Sequence, residues 1–355
     1  MIKRTSKVTN SLPLLPTTVV GSYPQPDWLI DREALRSRLP ARIRAADMWR
    51  VPEPYLEQAQ DDATIIAIRA MERAGVDIIS DGEARRESYS NRFSTALGGV
   101  DPVNPGHALS RRGLPDLVPL FIGPVQRGRP IQLRDVQFLR ANTSLPIKIT
   151  IPGAFTMSQQ AVDEHYHDSR AFALALAAAL NQELLDLQAA GADVIHIDEP
   201  YMQARVEQAQ AFAVEVINRS LQGVTATTVL HTCFGYGHYR NAKPRDTYEF
   251  LEELADSAVD QISVEAAQPG LDLRQLGHMG NKTMMVGVID LGTPEVETPE
   301  VVAGRIRAIL QHLPPERLVI APDCGMKYLP RETAFGKLRA MVEGTRTVRS
   351  ELGAG

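Results

Sequence analysis

Short apolar runs recur along the chain, and most of them end in a residue able to do chemistry. Val76-Asp77-Ile78-Ile79-Ser80 runs into Asp81-Gly82-Glu83, and Ile147-Lys148-Ile149-Thr150-Ile151 into Pro152-Gly153. Val194-Ile195-His196-Ile197 runs into Asp198-Glu199-Pro200, and Val229-Leu230-His231 into Thr232-Cys233. Gln261-Ile262-Ser263-Val264 ends in Glu265, residues 284–289 end in Asp290, and Leu318-Val319-Ile320-Ala321 ends in Pro322-Asp323-Cys324. Ahead of them all, the β-branched stretch Thr17-Thr18-Val19-Val20 ends in Gly21-Ser22. Runs this short and this continuously apolar predict strands buried on both faces, as in a parallel sheet.

Helical patterns separate most of these strands. Residues 55–74 carry Ile65, Ile66, Ile68 and Met71 on one face, and Gly75 closes them as a C-cap. Residues 169–190 are rich in Ala and Leu and stop at Gly191. Further helices are predicted over 203–220, 246–257, 299–313 (with a proline in the first turn) and 331–351. Residues 30–55 read as a charged, proline-punctuated helical excursion. Residues 84–140, rich in Arg, Gly and Pro, read as an insertion holding a hairpin around 118–131. The crossover between the sixth and seventh strands is weak, because Gly277 and Gly280 interrupt residues 271–280.

The expectation is an α/β chain of the (β/α)8 TIM-barrel type. Residues 1–15 are expected as a loose leader and 16–355 as a single catalytic domain, with the 84–140 insertion after the second strand. A doubly wound open sheet is the alternative. The barrel is preferred because polar groups end nearly every strand, which is the rim where a barrel builds its active site.

Composition narrows the function classes. The chain has 355 residues, 44% hydrophobic and 23% charged, with a net charge of −5, so nothing draws it generally to nucleic acid or to an anionic membrane. No apolar h-region follows the basic start, and no run approaches the roughly 20 apolar residues that span a bilayer. Two cysteines make no disulfide framework, and a reducing cytoplasm is the expected location.

Those two cysteines carry the first candidate chemistry. His231 and Cys233 stand two apart at a strand end and so face the same way, and Cys324 follows the last strand. With Glu265 they form a candidate metal set, and sulfur with imidazole nitrogen selects zinc over calcium or magnesium. The plain alternative is two thiols buried as small apolar residues. A carboxylate ligand such as Glu265 could yield to an incoming thiol, and zinc would then hold a thiolate at neutral pH.

The second candidate group is anionic: Glu83, Asp198, Glu199, Asp290 and Asp323. Of these, Asp198, Glu83 and Asp323 are the candidate catalytic carboxylates. So many on one rim need cations, either a substrate ammonium or Arg85, Arg86 and Lys327. Supporting a ligand from behind, or capping a loop, is the alternative for some of them. Ser22 could hold a substrate carboxylate, with a plain turn as the alternative. His165-Tyr166-His167 reads as a solvated loop. His238 and Tyr239 could lie near the mouth or on the surface. Gly235-Tyr236-Gly237 is no phosphate loop, since no Lys-Ser/Thr follows it.

Taken in order, several motifs resemble the catalytic C-terminal barrel of cobalamin-independent methionine synthase. They are Val20-Gly21-Ser22-Tyr23-Pro24, Asp81-Gly82-Glu83, Ile197-Asp198-Glu199-Pro200, His231-Thr232-Cys233, Ile262-Ser263-Val264-Glu265 and Pro322-Asp323-Cys324-Gly325-Met326-Lys327. The resemblance runs from about Thr17 to Arg349. It implies a (β/α)8 barrel, zinc on His231, Cys233, Glu265 and Cys324, and homocysteine held by Ser22 at its carboxylate and by Glu83 and Asp198 at its amino group.

The departures fall on the folate side. The resemblance covers the family's C-terminal barrel alone, and its second, N-terminal barrel is not expected here. The pterin-stacking tryptophan expected after Pro152-Gly153-Ala154-Phe155-Thr156 is replaced by Met157-Ser158-Gln159-Gln160, and the only tryptophans are Trp28 and Trp49. Asp290-Leu291-Gly292-Thr293 lacks the family's proton-donor histidine, and Ser88-Tyr89 stands in place of its Asp-Met pair.

The favoured expectation is a zinc-dependent S-methyltransferase that makes methionine from homocysteine. Its methyl or alkyl donor is unidentified, is not polyglutamyl methyl-folate, and is open to delivery by another protein. One alternative is a zinc-dependent thiol alkyltransferase of the epoxyalkane:coenzyme M transferase type, whose sulfonate thiol would want Arg85 or Arg86. Another is a non-catalytic, zinc-stabilised barrel that binds a thiol or a partner protein. Uroporphyrinogen decarboxylase shares the barrel without the His-x-Cys set, so that activity is discounted.

Overall fold

The computed structural model describes residues 12–38, 40–110, 113–234 and 247–354. Seven parallel strands form one curled sheet whose spatial order is the chain order: β1 Ile79–Ser80, β2 Ile147–Pro152, β3 Val194–Asp198, β4 Thr227–His231, β5 Gln261–Val264, β6 Thr283–Gly287 and β7 Leu318–Ala321. Thr17 and Thr18 make one parallel bridge to each end of this sheet, Thr17 with Ile320 and Thr18 with Ile78.

Side-chain alternation divides the sheet's residues between two environments. Ile149, Ile195, Leu230, Ile262, Val286 and Ile320 belong to the large core shared with the helices. Val20, Ile78, Val194, Val229, Met285 and Val319 form a separate apolar layer on the inner face. Two residues further along, that inner face turns polar. Val194 is followed at this spacing by His196 and Asp198, and Val229 by His231 and Cys233. The register holds this layer level, with Thr150 beside His196, Asp198 beside His231, and His231 beside Ser263.

Several predicted helices form as expected. Leu56–Ala74 stops at Gly75, whose φ of 84° lets its N–H turn back to the carbonyls of Met71 and Glu72. Ser169–Ala189 starts where the Asp168 carboxylate accepts from the Ala171 N–H. Pro299–Ile309 begins at a Thr298 cap, and Arg331–Glu351 matches its predicted span.

Other elements differ. The helix expected over 203–220 is broken into a 3-10 turn at Met202–Ala204, a short helix Val206–Gln208, a π turn at Ala209–Ala213 and a helix Val214–Ser220. Phe212, in the π turn, packs its ring 5.5 Å from that of Phe155. Of the helix expected over 246–257, the described part is a 3-10 helix at Glu252–Asp256, and residue 246 lies outside the described residues. The glycine-weakened crossover is likewise a 3-10 helix, Leu273–His278.

In the insertion, the hairpin pairs Gly106–Leu109 with Pro115–Val118, upstream of the expected 118–131. Leu120–Gln126 pairs instead with Gly98–Val100 and, in parallel, with Val162–Asp163. A side chain on Gly99, at φ 89°, would strike the Gly123 carbonyl at 2.5 Å, so glycine is what lets these strands close. The helix Leu133–Asn142 returns the chain to β2.

Residues 1–11 of the expected leader lie outside the described residues, and the stretch that follows is anchored rather than loose. Leu15 is fully buried and Leu12 packs on the inner apolar layer. Arg349, from the last helix, donates to the carbonyls of Leu14 and Leu15 and to Asp77 Oδ2 at 2.6 Å. The same Asp77 oxygen accepts from the N–H and hydroxyl of Thr17, each at 2.7 Å. Among the described residues, no helix is long and apolar enough to cross a membrane.

Asp77 thus joins the first segment, the approach to β1 and the last helix. Asp77→Ala leaves the largely buried Arg349 without its counter-charge, and it should destabilise the protein by about 3 kcal/mol. Urea unfolding of the variant against wild type measures this, and a change under about 0.5 kcal/mol, the range of an ordinary surface substitution, would contradict it.

Candidate metal centre and the adjoining pocket

β4 ends at His231, and Cys233 lies two residues on, so both side chains leave the sheet on its inner face. Cys324 lies three residues beyond β7, in the turn opened by Pro322. The ligand atoms of His231, Cys233 and Cys324 all lie within 4.8 Å of one another, and all three residues are buried. His231 Nδ1 is 2.9 Å from Ser263 Oγ, while its buried Nε2 has no hydrogen-bond partner among the described residues. Two buried thiols and an orphaned imidazole nitrogen converging on one point are the donor set of a thiolate-preferring cation.

The electrostatics agree. The hydrogen bond shared with Cys233, together with burial, pushes the Cys324 thiol well above its usual range. Burial draws the His231 imidazole down, but Cys233, Asp198 and Glu265 outweigh it and leave it raised. Negative charge gathered around a proton site is what a divalent cation would relieve.

Glu265 follows β5 and is fully buried, but its carboxylate stands outside the 4.8 Å set. Its Oε2 accepts from the Phe234 N–H at 3.0 Å. Tyr248 ties this carboxylate's strand to the histidine–cysteine strand. Its hydroxyl donates to the Thr232 carbonyl at 3.2 Å and accepts from the Glu265 N–H at 2.9 Å, and its ring stacks on Phe234 at 4.3 Å.

Asp323 is engaged with backbone. Its Oδ1 accepts from the N–H groups of Ala266 and Ala267, each at 3.0 Å, and its Oδ2 from Gln268 at 2.6 Å. It therefore binds the turn after Glu265 to the turn that carries Cys324. A Cβ on Gly287 would sit 2.1 Å from Asp323 Oδ1, so this clamp needs a glycine at the end of β6.

Beside the metal set lie Ser22, Glu83 and Asp198. Ser22 Oγ is buried without a partner among the described residues. The Ser22 carbonyl accepts from the Met326 N–H at 2.8 Å, and a Cβ on Gly325 would come within 2.3 Å of the Ser22 hydroxyl. That serine is therefore pressed against the cysteine turn. Glu83 sits in the left-handed region at φ 54°, with its carboxylate lying over Gly21, where a Cβ would meet Oε1 at 2.4 Å. Lys327 Nζ stands 3.9 Å from Glu83 Oε2. Burial raises Asp198 to about 8, and the charges of Glu83 and Cys233 add to that shift against the opposing pull of His231.

The other rim residues go elsewhere. Glu199 caps the short helix Ala154–Gln159 through the N–H groups of Phe155 and Thr156, at 3.1 and 2.7 Å. Asp290 accepts from the Gly292 N–H at 2.6 Å. Arg86 pairs with Asp81 at 2.7 Å, and Arg85 turns outward to Asp61 and Asp135. His165 and His167 are exposed, and the Tyr166 hydroxyl accepts from the Val125 N–H at 2.9 Å. Gly235 to Tyr239 lie outside the described residues.

Sequence reasoning passed over three buried polar residues here: Lys148, His196 and Tyr248. For the first two a signal existed. Ile-Lys-Ile-Thr-Ile and Val-Ile-His-Ile alternate, and the alternation that predicts a strand also places the lysine and histidine on one face.

A family model described as "Cobalamin-independent synthase, Catalytic domain" matches residues 15–347. The chain belongs to this family. Membership makes it a methyltransferase enzyme. Curated relatives include the methionine synthases of Sulfurisphaera tokodaii and Thermococcus kodakarensis, each 34% identical. The matches cover 97% and 96% of this chain respectively, and 95% of each relative. Among solved structures, a B12-independent methionine synthase from Shewanella sp. W3-18-1, in complex with selenomethionine, is 31% identical with a TM-score of 0.88, over 96% of this chain and 100% of that one. A putative vitamin-B12-independent methionine synthase from Listeria monocytogenes shares the fold at 18% identity and a TM-score of 0.71, over 95% of this chain and 98% of that one.

Tyr248→Phe removes the hydroxyl that joins the Thr232 carbonyl to the Glu265 N–H while keeping the stacked ring. Metal affinity, measured by competition with a chromogenic chelator, should fall about tenfold. Cys324→Ser should lose far more, and affinities equal to wild type in both variants would contradict the assignment.

Proposed function

We propose that the protein is a zinc-dependent methyltransferase that converts homocysteine to methionine, using a donor other than polyglutamyl methyl-folate. The observation that carries this is the convergence of His231, Cys233 and Cys324, within 4.8 Å of one another, beside the buried Ser22 hydroxyl, which has no partner among the described residues. These donors fit zinc, with Glu265 as the replaceable fourth ligand. Zinc, when bound, would lower the pKa of a substrate thiol and hold it as thiolate at neutral pH.

The chain's own groups account for the rest of an amino-acid thiol. Ser22 donates its free hydroxyl to the substrate carboxylate. Glu83 and Asp198 flank the ammonium, whose charge offsets the raised pKa of Asp198. Asp323, with three backbone donors, serves to hold the Glu265 and Cys324 turns in register rather than to move a proton. The selenomethionine complex of the Shewanella relative supports an amino-acid site of this kind.

The sulfonate alternative loses support from the arginines. Arg86 is committed to Asp81 and to the Thr150 carbonyl, and Arg85 to Asp61 and Asp135. On the donor side, the segment that would carry a stacking tryptophan carries Gln160, whose amide is bonded to the Tyr89 hydroxyl and to Ser90. Trp49 donates its indole N–H to Glu87 at 3.0 Å.

The bridges from Thr17 to Ile320 and from Thr18 to Ile78 support a further point. The segment before Gly21 is the eighth strand, and the sheet closes as a (β/α)8 barrel. A thiol-dependent centre of this kind belongs in a reducing cytoplasm.

Adding homocysteine to the zinc-loaded protein should change the zinc K-edge spectrum toward more sulfur and release about one proton near neutral pH. An unchanged edge with no proton release would overturn the proposal.

A further inference from the structure

We propose that His196, aligned by Lys148, is a positioning residue that fixes Asp198 for the substrate's ammonium group. The inference rests on the homocysteine reading above and adds the two residues that orient its amino-group site.

Lys148 and His196 lie on the adjacent strands β2 and β3, on the inner face, and both are buried. The Lys148 ammonium donates to the Val19 carbonyl, and its Nζ is 3.5 Å from His196 Nδ1. An ammonium has no acceptor site, so Nδ1 must present its lone pair and the ring proton sits on Nε2. His196 Nε2 faces Asp198 Oδ1 at 3.3 Å, and neither atom has a hydrogen-bond partner among the described residues. The proton on Nε2 therefore sets the imidazole's donor nitrogen next to Asp198, a 3.3 Å approach rather than a formed hydrogen bond, while Lys148 occupies the Nδ1 side. In a water-excluded site a carboxylate with one oxygen so aimed keeps the other in a fixed direction for an incoming cation.

The same imidazole also packs 5.6 Å from the ring of His231, which is held in turn by Ser263. The ammonium half and the metal half of the pocket thus share one row of side chains on the inner face. An apolar residue at position 196 would preserve the packing and lose the aim.

Calorimetric titration of the zinc-loaded full chain tests this with two probes: homocysteine and γ-mercaptobutyrate, which is homocysteine without its amino group. Wild type should bind homocysteine more tightly. His196→Leu should weaken homocysteine about tenfold and leave γ-mercaptobutyrate unchanged. His196→Gln, whose carboxamide can donate to Asp198, should recover most of the loss. Lys148→Met should show the same selective loss from the other end, which keeps the test open if His196→Leu fails to fold.

Equal weakening of both probes in the folded variants would reduce His196 to a structural role and overturn the inference. So would unchanged homocysteine binding. Wild type that binds neither probe, or that does not prefer homocysteine, overturns the homocysteine reading itself and this inference with it. That failure appears in the unmutated protein and is separable from a failure of the variants.

Discussion

The pleat of a parallel strand advances side chains two residues at a time to the same face, and this site depends on that step. On β3 and β4 the inner face passes from valine to histidine to a functional acid or thiol, through Val194, His196 and Asp198 and through Val229, His231 and Cys233. The apolar layer seals the inner face below, and the next two steps present ligands and charges. A slip of one residue in β4 would turn His231 and Cys233 toward the helices and bring leucine or threonine to the centre. The register of Asp198 with His231, and of His231 with Ser263, keeps these polar groups at one height.

Charges placed at that height are expensive to keep. Burial lowers Lys148 to about 7 and raises Asp198 to about 8. Such groups would not persist in a core built for stability alone, where apolar side chains of the same volume serve as well or better. Their company is what makes them tolerable. Lys148 finds a carbonyl and an imidazole, Lys327 the Arg86 carbonyl, and Arg86 both Asp81 and the Thr150 carbonyl. Among the described residues, buried atoms without a hydrogen-bond partner on Ser22, Glu83, His196, Asp198 and His231 gather around the histidine–cysteine cluster, as expected where a ligand and a cation complete the network.

Much of this was legible in the chain. The strands were readable because they are buried on both faces and so carry continuous apolar runs, and the last helix because its pattern is long and uninterrupted. The His231-x-Cys233 pair and Cys324 were readable because a period-two spacing and a strand terminus are local facts. The break of the helix expected over 203–220 was not, since a π turn at Ala209–Ala213 depends on where Phe212 finds Phe155 rather than on local preference. Likewise the partners of Leu120–Gln126 lie before it and well after it in the chain, and no nearby turn residue announces either.

The sequence by itself determined which residue types end each strand, and hence that sulfur, imidazole and carboxylate share one rim. It could not sort those carboxylates. Glu83, Asp198, Glu199, Asp290 and Asp323 look alike as acids after apolar runs. Only the fold brings Asp198 close to Glu83, His231 and Cys233, sets Glu199 on a helix N-terminus, and spends Asp323 on three backbone donors. The same holds for Arg85 and Arg86, neighbours in the chain that point to opposite partners. Alternation and propensity are properties of a few consecutive residues and can be read along the chain. The partner of a charge is set by whatever distant backbone or side chain the closed sheet brings beside it, and that is decided in three dimensions.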